Sequence, residues 1–152
     1  MIKLVIISLF FNITLFSTIA FSLELTVEIK NTKQLDKKIM MELFLLTDNN
    51  PDNWNDIQLI EKKTVELYSE LKFHQLEKGR YALRVFQDVN NNGVLDKSAS
   101  EIPKEPIGFS ANPSLFGGEP LPQDSAIELN RNTTIYINLK HRKVRKKRKK
   151  SF

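Results

Sequence analysis

An all-β fold, an antiparallel β-sandwich of about seven short strands, is what this sequence predicts, and three observations carry that reading. Stretches of period-two alternation recur along the chain, clusters of turn-forming residues separate them, and helical spacing is confined to one ambiguous stretch. A sheet with one apolar face needs a second layer to cover it, and with little helix available that layer is a second sheet. The 152 residues, 41% of them apolar, suit one domain.

Taken in order, Leu25, Val27 and Ile29 alternate with Thr26, Glu28 and Lys30, the pattern of a strand with one wet face. From Ile39 to Leu46 apolar residues occupy both faces and only Glu42 interrupts them, which predicts a central strand. Asp48 to Asn53 is a cluster of turn formers and predicts a loop. Between Trp54 and Leu71 both periods fit: Trp54, Ile57, Ile60, Leu67 and Leu71 approach helical spacing, while Thr64 to Tyr68 and Leu71 to Phe73 suit strands. Strands after Lys63 and a short helix near Ile57 are expected, because the neighbouring segments are strands. Phe73 to Leu76, a turn at Gly79, and Tyr81 to Gln87 predict a strand, a turn and a second strand, which delivers Asp88 to the following loop. Ala99 to Gln123 holds five of the six prolines with Gly108, Gly117 and Gly118, so it predicts a long structured loop or hairpin. Ala126 to Leu129 and Thr133 to Leu139 predict two closing strands across an Asn130-Arg131-Asn132 turn.

The ends differ from the body. Residues 1–22 carry one charge, Lys3, then an apolar run from Leu4 to Phe16, then Ala20-Phe21-Ser22, a small-x-small pattern. This is expected to be a secretory signal peptide cut before Leu23, the alternative being a retained anchor helix. Nine of the 23 basic residues lie between Lys140 and Lys150. Setting aside those nine and Lys3 leaves 13 basic against 18 acidic residues, so the body from Leu23 to Leu139 carries a net −5. Expected boundaries are therefore signal peptide 1–22, sandwich 23–140 and disordered basic tail 141–152, in a secreted, periplasmic or envelope-associated protein. With no cysteine, the core must hold without disulfides.

The chemistry-bearing stretch is Asp88-Val89-Asn90-Asn91-Asn92-Gly93-Val94-Leu95-Asp96. Oxygen-bearing side chains at loop positions one, three and five, a glycine at six, a carbonyl at seven and a carboxylate at nine are the spacing of a calcium loop. The candidate ligands are Asp88, Asn90, Asn92, the Val94 carbonyl and Asp96, with Glu101 or Glu105 completing the shell. An EF-hand is excluded: position twelve is Ala99, and Pro103 and Pro106 follow where a helix would leave. Only hard oxygen donors are present, so Ca²⁺ is the expected ion. The competing reading is an Asn-Gly hairpin turn whose side chains bond local amides.

Catalytic constellations are sparse. His74 alternates with Phe73 and is expected to face solvent, His141 lies in the basic segment, and Ser110 has no nucleophile-elbow context. A hydrolase using Glu101 and Glu105 is the competing class to a non-catalytic binding or structural module. Trp54 is expected to close one end of the core, the alternative being a stacking platform for a sugar.

Phe73-x-x-Leu76-x-x-Gly79-x-Tyr81-Ala82, running into Asp88-x-Asn90-x-Asn92-Gly93-x-Leu95-Asp96, resembles the signature of the secreted bacterial proteins called domain of unknown function 2141. The resemblance continues through Ile102 to Ser110, Phe116-Gly117-Gly118, Asp124 and Ala126, and covers roughly Leu25 to Leu139. It implies a sandwich of immunoglobulin or transthyretin type and attaches no activity. Pro106 stands where the pattern leads one to expect glycine. The basic tail lies outside the pattern. Its polycation, with Val144 as the one apolar residue from Lys140 to Lys150, is expected to bind anionic membrane or lipopolysaccharide, or to serve only as a solubilising end; nucleic acid lacks stacking aromatics there. The sandwich itself is expected to present its loop to a protein or glycan partner.

Overall fold

The computed structural model describes residues 22–32, 36–48, 52–66, 71–100 and 102–141. The signal-peptide reading and the tail beyond His141 fall outside them. Among the described residues eight strands form two packed sheets, and no α-helix occurs. β1 (Leu23–Lys30), β4 (Lys72–Leu76) and β8 (Thr133–Asn138) make a three-stranded sheet in the order β4-β1-β8. β2 (Lys38–Leu46), β3 (Leu59–Val65), β5 (Gly79–Asp88), β6 (Ile107–Phe109) and β7 (Ala126–Leu129) make the other. In it the order is β3-β2-β5, with β6 and β7 both on the far side of β5. Every strand pair is antiparallel except β1 with β8, which run parallel from Leu25↔Thr133 to Lys30↔Asn138.

The two-faced apolar pattern of β2 has a physical reason. Ile39, Met41 and Leu43 face the other sheet and join Leu25, Val27, Phe73, Leu83, Val85 and Ile137 in the main core. Met40, Phe44 and Leu46 face outward, where loops cover them with Trp54, Ile57, Phe86, Ile107 and Phe109 in a second core. Trp54 closes that second layer: it stacks edge-on to Phe44 at 5.2 Å and tilted to Phe109 at 5.3 Å, and its indole Nε1 donates to the Pro120 carbonyl at 2.8 Å. Glu42, the one acidic residue of β2, accepts from Arg84 at 2.7 Å, and the guanidinium lies over the rings of Phe44 and Trp54.

Three sequence expectations need correction. β3 begins at Leu59, four residues before Lys63, because it is an edge strand: Leu59 and Ile60 stay exposed and give no clean inward pattern. The short helix near Ile57 is a 3₁₀ turn over Trp54–Asp56, capped by the Asn53 side chain. The proline-rich segment is not free of elements, since it contains β6 and a 3₁₀ turn at Pro122–Ser125.

β5 is ten residues long, and its second edge is satisfied by two short strands. β7 pairs with Gly79 to Ala82 and β6 with Arg84 to Phe86. Leu83 falls between them, and fully buried Ser110 completes it: Ser110 N donates to Leu83 O at 2.9 Å, and Ser110 Oγ accepts from Leu83 N at 2.8 Å and donates to Ser125 O. Buried backbone groups must be paired, and one serine pairs three.

β6 also ties the two sheets together, since Ile107 and Lys140 exchange both backbone bonds, at 3.1 and 2.7 Å. Gly108 permits that approach: a Cβ there would stand 2.6 Å from Ile137 Cγ2 and 3.0 Å from the Asn138 carbonyl. Gly108→Ala is expected to lower stability by about 1–3 kcal/mol, measured by denaturant unfolding. Burial raises the pKa of Tyr81, whose hydroxyl donates to the Glu77 carbonyl at 3.0 Å. A group whose folded pKa is raised adds stability below its unfolded value, near 10, and loses it as pH climbs through the folded value. Stability above pH 10 should therefore fall more steeply for wild type than for Tyr81→Phe, as equilibrium unfolding at stepped alkaline pH will read.

Candidate functional site

β5 ends at Asp88, and the loop from Val89 to Asp96 folds around that carboxylate. Asp88 is 3% exposed. Its Oδ1 accepts from Asn92 N at 3.1 Å and its Oδ2 from Gly93 N at 2.8 Å. Asn90 Oδ1 also accepts from Asn92 N at 3.2 Å, and Asn92 Oδ1 accepts from Val94 N at 3.0 Å. Asn91 and Gly93 both lie at positive φ, 59° and 75°, so the loop turns where asparagine and glycine tolerate it.

The remaining polar atoms converge. Asn90 Nδ2 and Asn92 Nδ2 donate to one oxygen, Asp96 Oδ2, at 2.6 and 3.2 Å. A half-turn of either carboxamide exchanges its nitrogen for its oxygen with little change in shape, which would present oxygens at the same point. That exchange gives up the bonds to Asn92 N and Val94 N. By residue type the loop offers the hard oxygen donors of a Ca²⁺ loop, two carboxylates, two carboxamides and one carbonyl, while both Asp88 oxygens and both carboxamide oxygens accept from backbone amides. Among the described residues, no three Asp, Glu or His side chains gather closely enough to hold a metal. Glu101 lies outside the described residues.

Glu105 has another employment. It is 5% exposed, and its two oxygens grip the two ends of the loop: Oε1 accepts from Val89 N at 2.8 Å and Oε2 from Asp96 N at 3.2 Å. The Asp96 carbonyl returns the grip by accepting from Lys104 N at 2.8 Å, and Lys97 bridges to Pro103. Pro106, in the position where glycine was expected, pairs with β5 through its carbonyl, which accepts from Gln87 N at 2.9 Å. The sequence supplied a hint in the placing of Glu105 between two prolines and beside an apolar strand, but its partners are main-chain groups 16 and 9 residues away.

A chain of charges crosses the outer face beside the loop. Lys62 of the edge strand donates to the Gly93 carbonyl at 3.2 Å and pairs with Glu42 at 3.3 Å. Arg84 joins Glu42 to Glu119 at 3.1 Å, and Glu119 pairs with Lys97 at 2.7 Å. Next to it an open groove of about 890 Å³ runs from Lys97 and Ile102 across to Leu115 and Gly117, with Lys140 and His141 among its lining. His141 lies 2.6 Å from the Asn31 carbonyl through Nε2. His74 is more than half exposed, as its alternation with Phe73 predicted, and its Nδ1 lies 3.1 Å from a Glu24 oxygen. The ammonium of Lys72, bonded to Glu24, holds that carboxyl below its ordinary range.

Because Glu105 closes the loop through charged hydrogen bonds, Glu105→Ala should destabilise the domain by about 2 kcal/mol, with Glu105→Gln intermediate. Hydrogen exchange should quicken at the Val89 and Asp96 amides in Glu105→Ala while the β1 amides change only with global stability.

No curated protein and no solved structure matches the chain. One family model does, over residues 27–136, from the middle of β1 to β8, and the match takes in the loop, the Glu105 clamp, Gly108 and Ser110. The chain thus belongs to the family described as "Uncharacterized protein conserved in bacteria", DUF2141.

Proposed function

We propose that this protein is a secreted, non-catalytic binding or structural module that takes one Ca²⁺ in the loop from Asp88 to Asp96 and presents the segment up to Ser110 to a partner. The observation that carries the reading is the convergence of Asn90 and Asn92 on Asp96 beside the capped carboxylate of Asp88. The ion would be structural, holding a loop that Glu105 already closes. Secretion rests on the residues before Leu23.

The employment of the acids favours this reading over a hydrolase. Glu105 holds two main-chain amides, Asp88 holds two more, and Glu42 and Glu119 are paired with Arg84 and lysines. Each is tied to the scaffold rather than aimed at an approaching bond.

With two carboxylates and no glutamate at position twelve, affinity should be of the ~10⁻⁴ to 10⁻³ M order of extracellular modules. An ion that binds only the folded state stabilises it by mass action, about 2.7 kcal/mol when free calcium is a hundred times the dissociation constant. Melting in about 10 mM calcium, roughly ten to a hundred times that dissociation constant, should exceed melting in chelator by several degrees. Asp88→Ala confounds this test, since it also uncaps Asn92 and Gly93. Asp96→Asn is cleaner, because its carboxylate bonds only side-chain amides. It should keep the chelator melting temperature within about 1 kcal/mol of stability and lose the calcium shift. Identical wild-type melting with and without calcium overturns the metal reading and leaves a hydrogen-bonded asparagine turn.

A further inference from the structure

Phe116 is the most exposed large apolar side chain among the described residues, at 99%. A tight turn holds it there: Gly118 N donates to the Leu115 carbonyl at 3.3 Å, and Phe116 N donates to Ser114 Oγ at 3.2 Å. Gly117 and Gly118 sit at φ of 104° and 132° with open space around them. Leu115 turns inward onto the second core, so the turn is anchored on one side while its phenyl ring projects on the other. Ile102, 47% exposed, lines the same groove as this turn. Among the described residues, Phe116 thus projects alone from the rim of a groove whose lining includes Leu115, Gly117, Gly118 and Ile102.

Lys140 and His141 line that groove too, so the basic segment leaves the fold beside the aromatic turn. It carries nine basic residues between Lys140 and Lys150 and one apolar residue, Val144, which gives it no face for a shaped partner. The body carries −5 and would be repelled by an anionic surface. An approach led by the tail brings the two together, and it turns toward the surface the groove that Lys140 and His141 share with the Leu115–Gly118 turn. A lipid bilayer accepts both a diffuse polycation and an isolated aromatic without shape complementarity. Stable attachment of a peripheral protein usually needs two such signals.

We propose that the Leu115–Gly118 turn and the basic segment dock this domain onto an anionic lipid bilayer, Phe116 entering the boundary between headgroups and acyl chains. The proposal names the partner of the binding module described above and does not depend on calcium occupancy. It orients the molecule with the groove facing lipid.

The test is Phe116→Trp in the full chain, read by indole fluorescence on phosphatidylglycerol and on phosphatidylcholine vesicles. Trp54 is buried and supplies a constant background. On phosphatidylglycerol at low salt the indole introduced at position 116 should shift to the blue and be quenched by brominated acyl chains. Both effects should vanish on phosphatidylcholine and weaken as salt shortens the Debye length from about 10 Å at 0.1 M to about 3 Å at 1 M. Phe116→Ser should weaken binding to phosphatidylglycerol roughly tenfold, the lower end of what burying a phenyl ring contributes. Unshifted emission on vesicles that sediment the protein, equal affinity for Phe116→Ser, or no binding to phosphatidylglycerol each overturns the proposal. Since the probe reports on position 116, contact through residues 1–22 does not imitate it. Calcium melting without lipid reads the loop separately, so either reading can fail alone.

Discussion

The second edge of β5 is the constraint on which the other features depend. Ten residues of a central strand need partners on both sides, and β2 supplies one side without a break from Lys38 to Leu46. The other side is shared between β6 and β7, which arrive from different directions. A break in a ladder leaves a donor and an acceptor in an apolar interior, where each is expensive to leave unmade. Ser110 removes that difficulty by acting at once as a strand residue and as a side-chain bridge. Because the seam is closed there, the chain can leave the sheet between Ser110 and Ser125. It uses that excursion to cover Trp54 and to build one wall of the groove.

The same logic places the candidate calcium loop. β5 and β6 are neighbours, so the segment that joins them must start and finish within a few ångströms of one sheet edge. Asp88 organises the turn of this segment from within, and Glu105, on the return, holds the two ends of the loop, each by capping backbone amides. Two buried carboxylates thus do for an irregular loop what a neighbouring strand does for a regular one. Asn112 repeats the device on β8, its amide accepting from Asn138 N at 2.7 Å and donating to the Tyr136 carbonyl at 2.6 Å.

Much of this was legible in the sequence where the cause is local. The alternation of Leu25, Val27 and Ile29 reports one buried face, and the two-sided pattern of β2 reports two, although not that the second is covered by loops. The oxygen spacing from Asp88 to Asp96 marked the loop because its bonds span at most six residues. What escaped is what depends on distant partners. Ser110 reads as an ordinary serine until Leu83, 27 residues earlier, is placed beside it. Glu105 reads as a spare ligand until its amide partners are seen. The start of β3 was obscured for a different reason, since an edge strand with exposed Leu59 and Ile60 has no buried face to declare itself.

The parallel pairing of β1 with β8 fixes a polarity of its own. Their shared direction puts Leu23 at one pole and Asn31, Asn138 and Lys140 at the other, separated by the length of an eight-residue strand, about 26 Å. The pairing of Lys38 with Asp88, and of Ile107 with both Phe86 and Lys140, gathers the loop, the groove and the exit of the basic segment at that second pole. A tether joined at Leu23 therefore holds the domain with these features pointing away from the support, whereas one joined after His141 presses them against it. An immobilised sample will present opposite surfaces to solution according to which end is used.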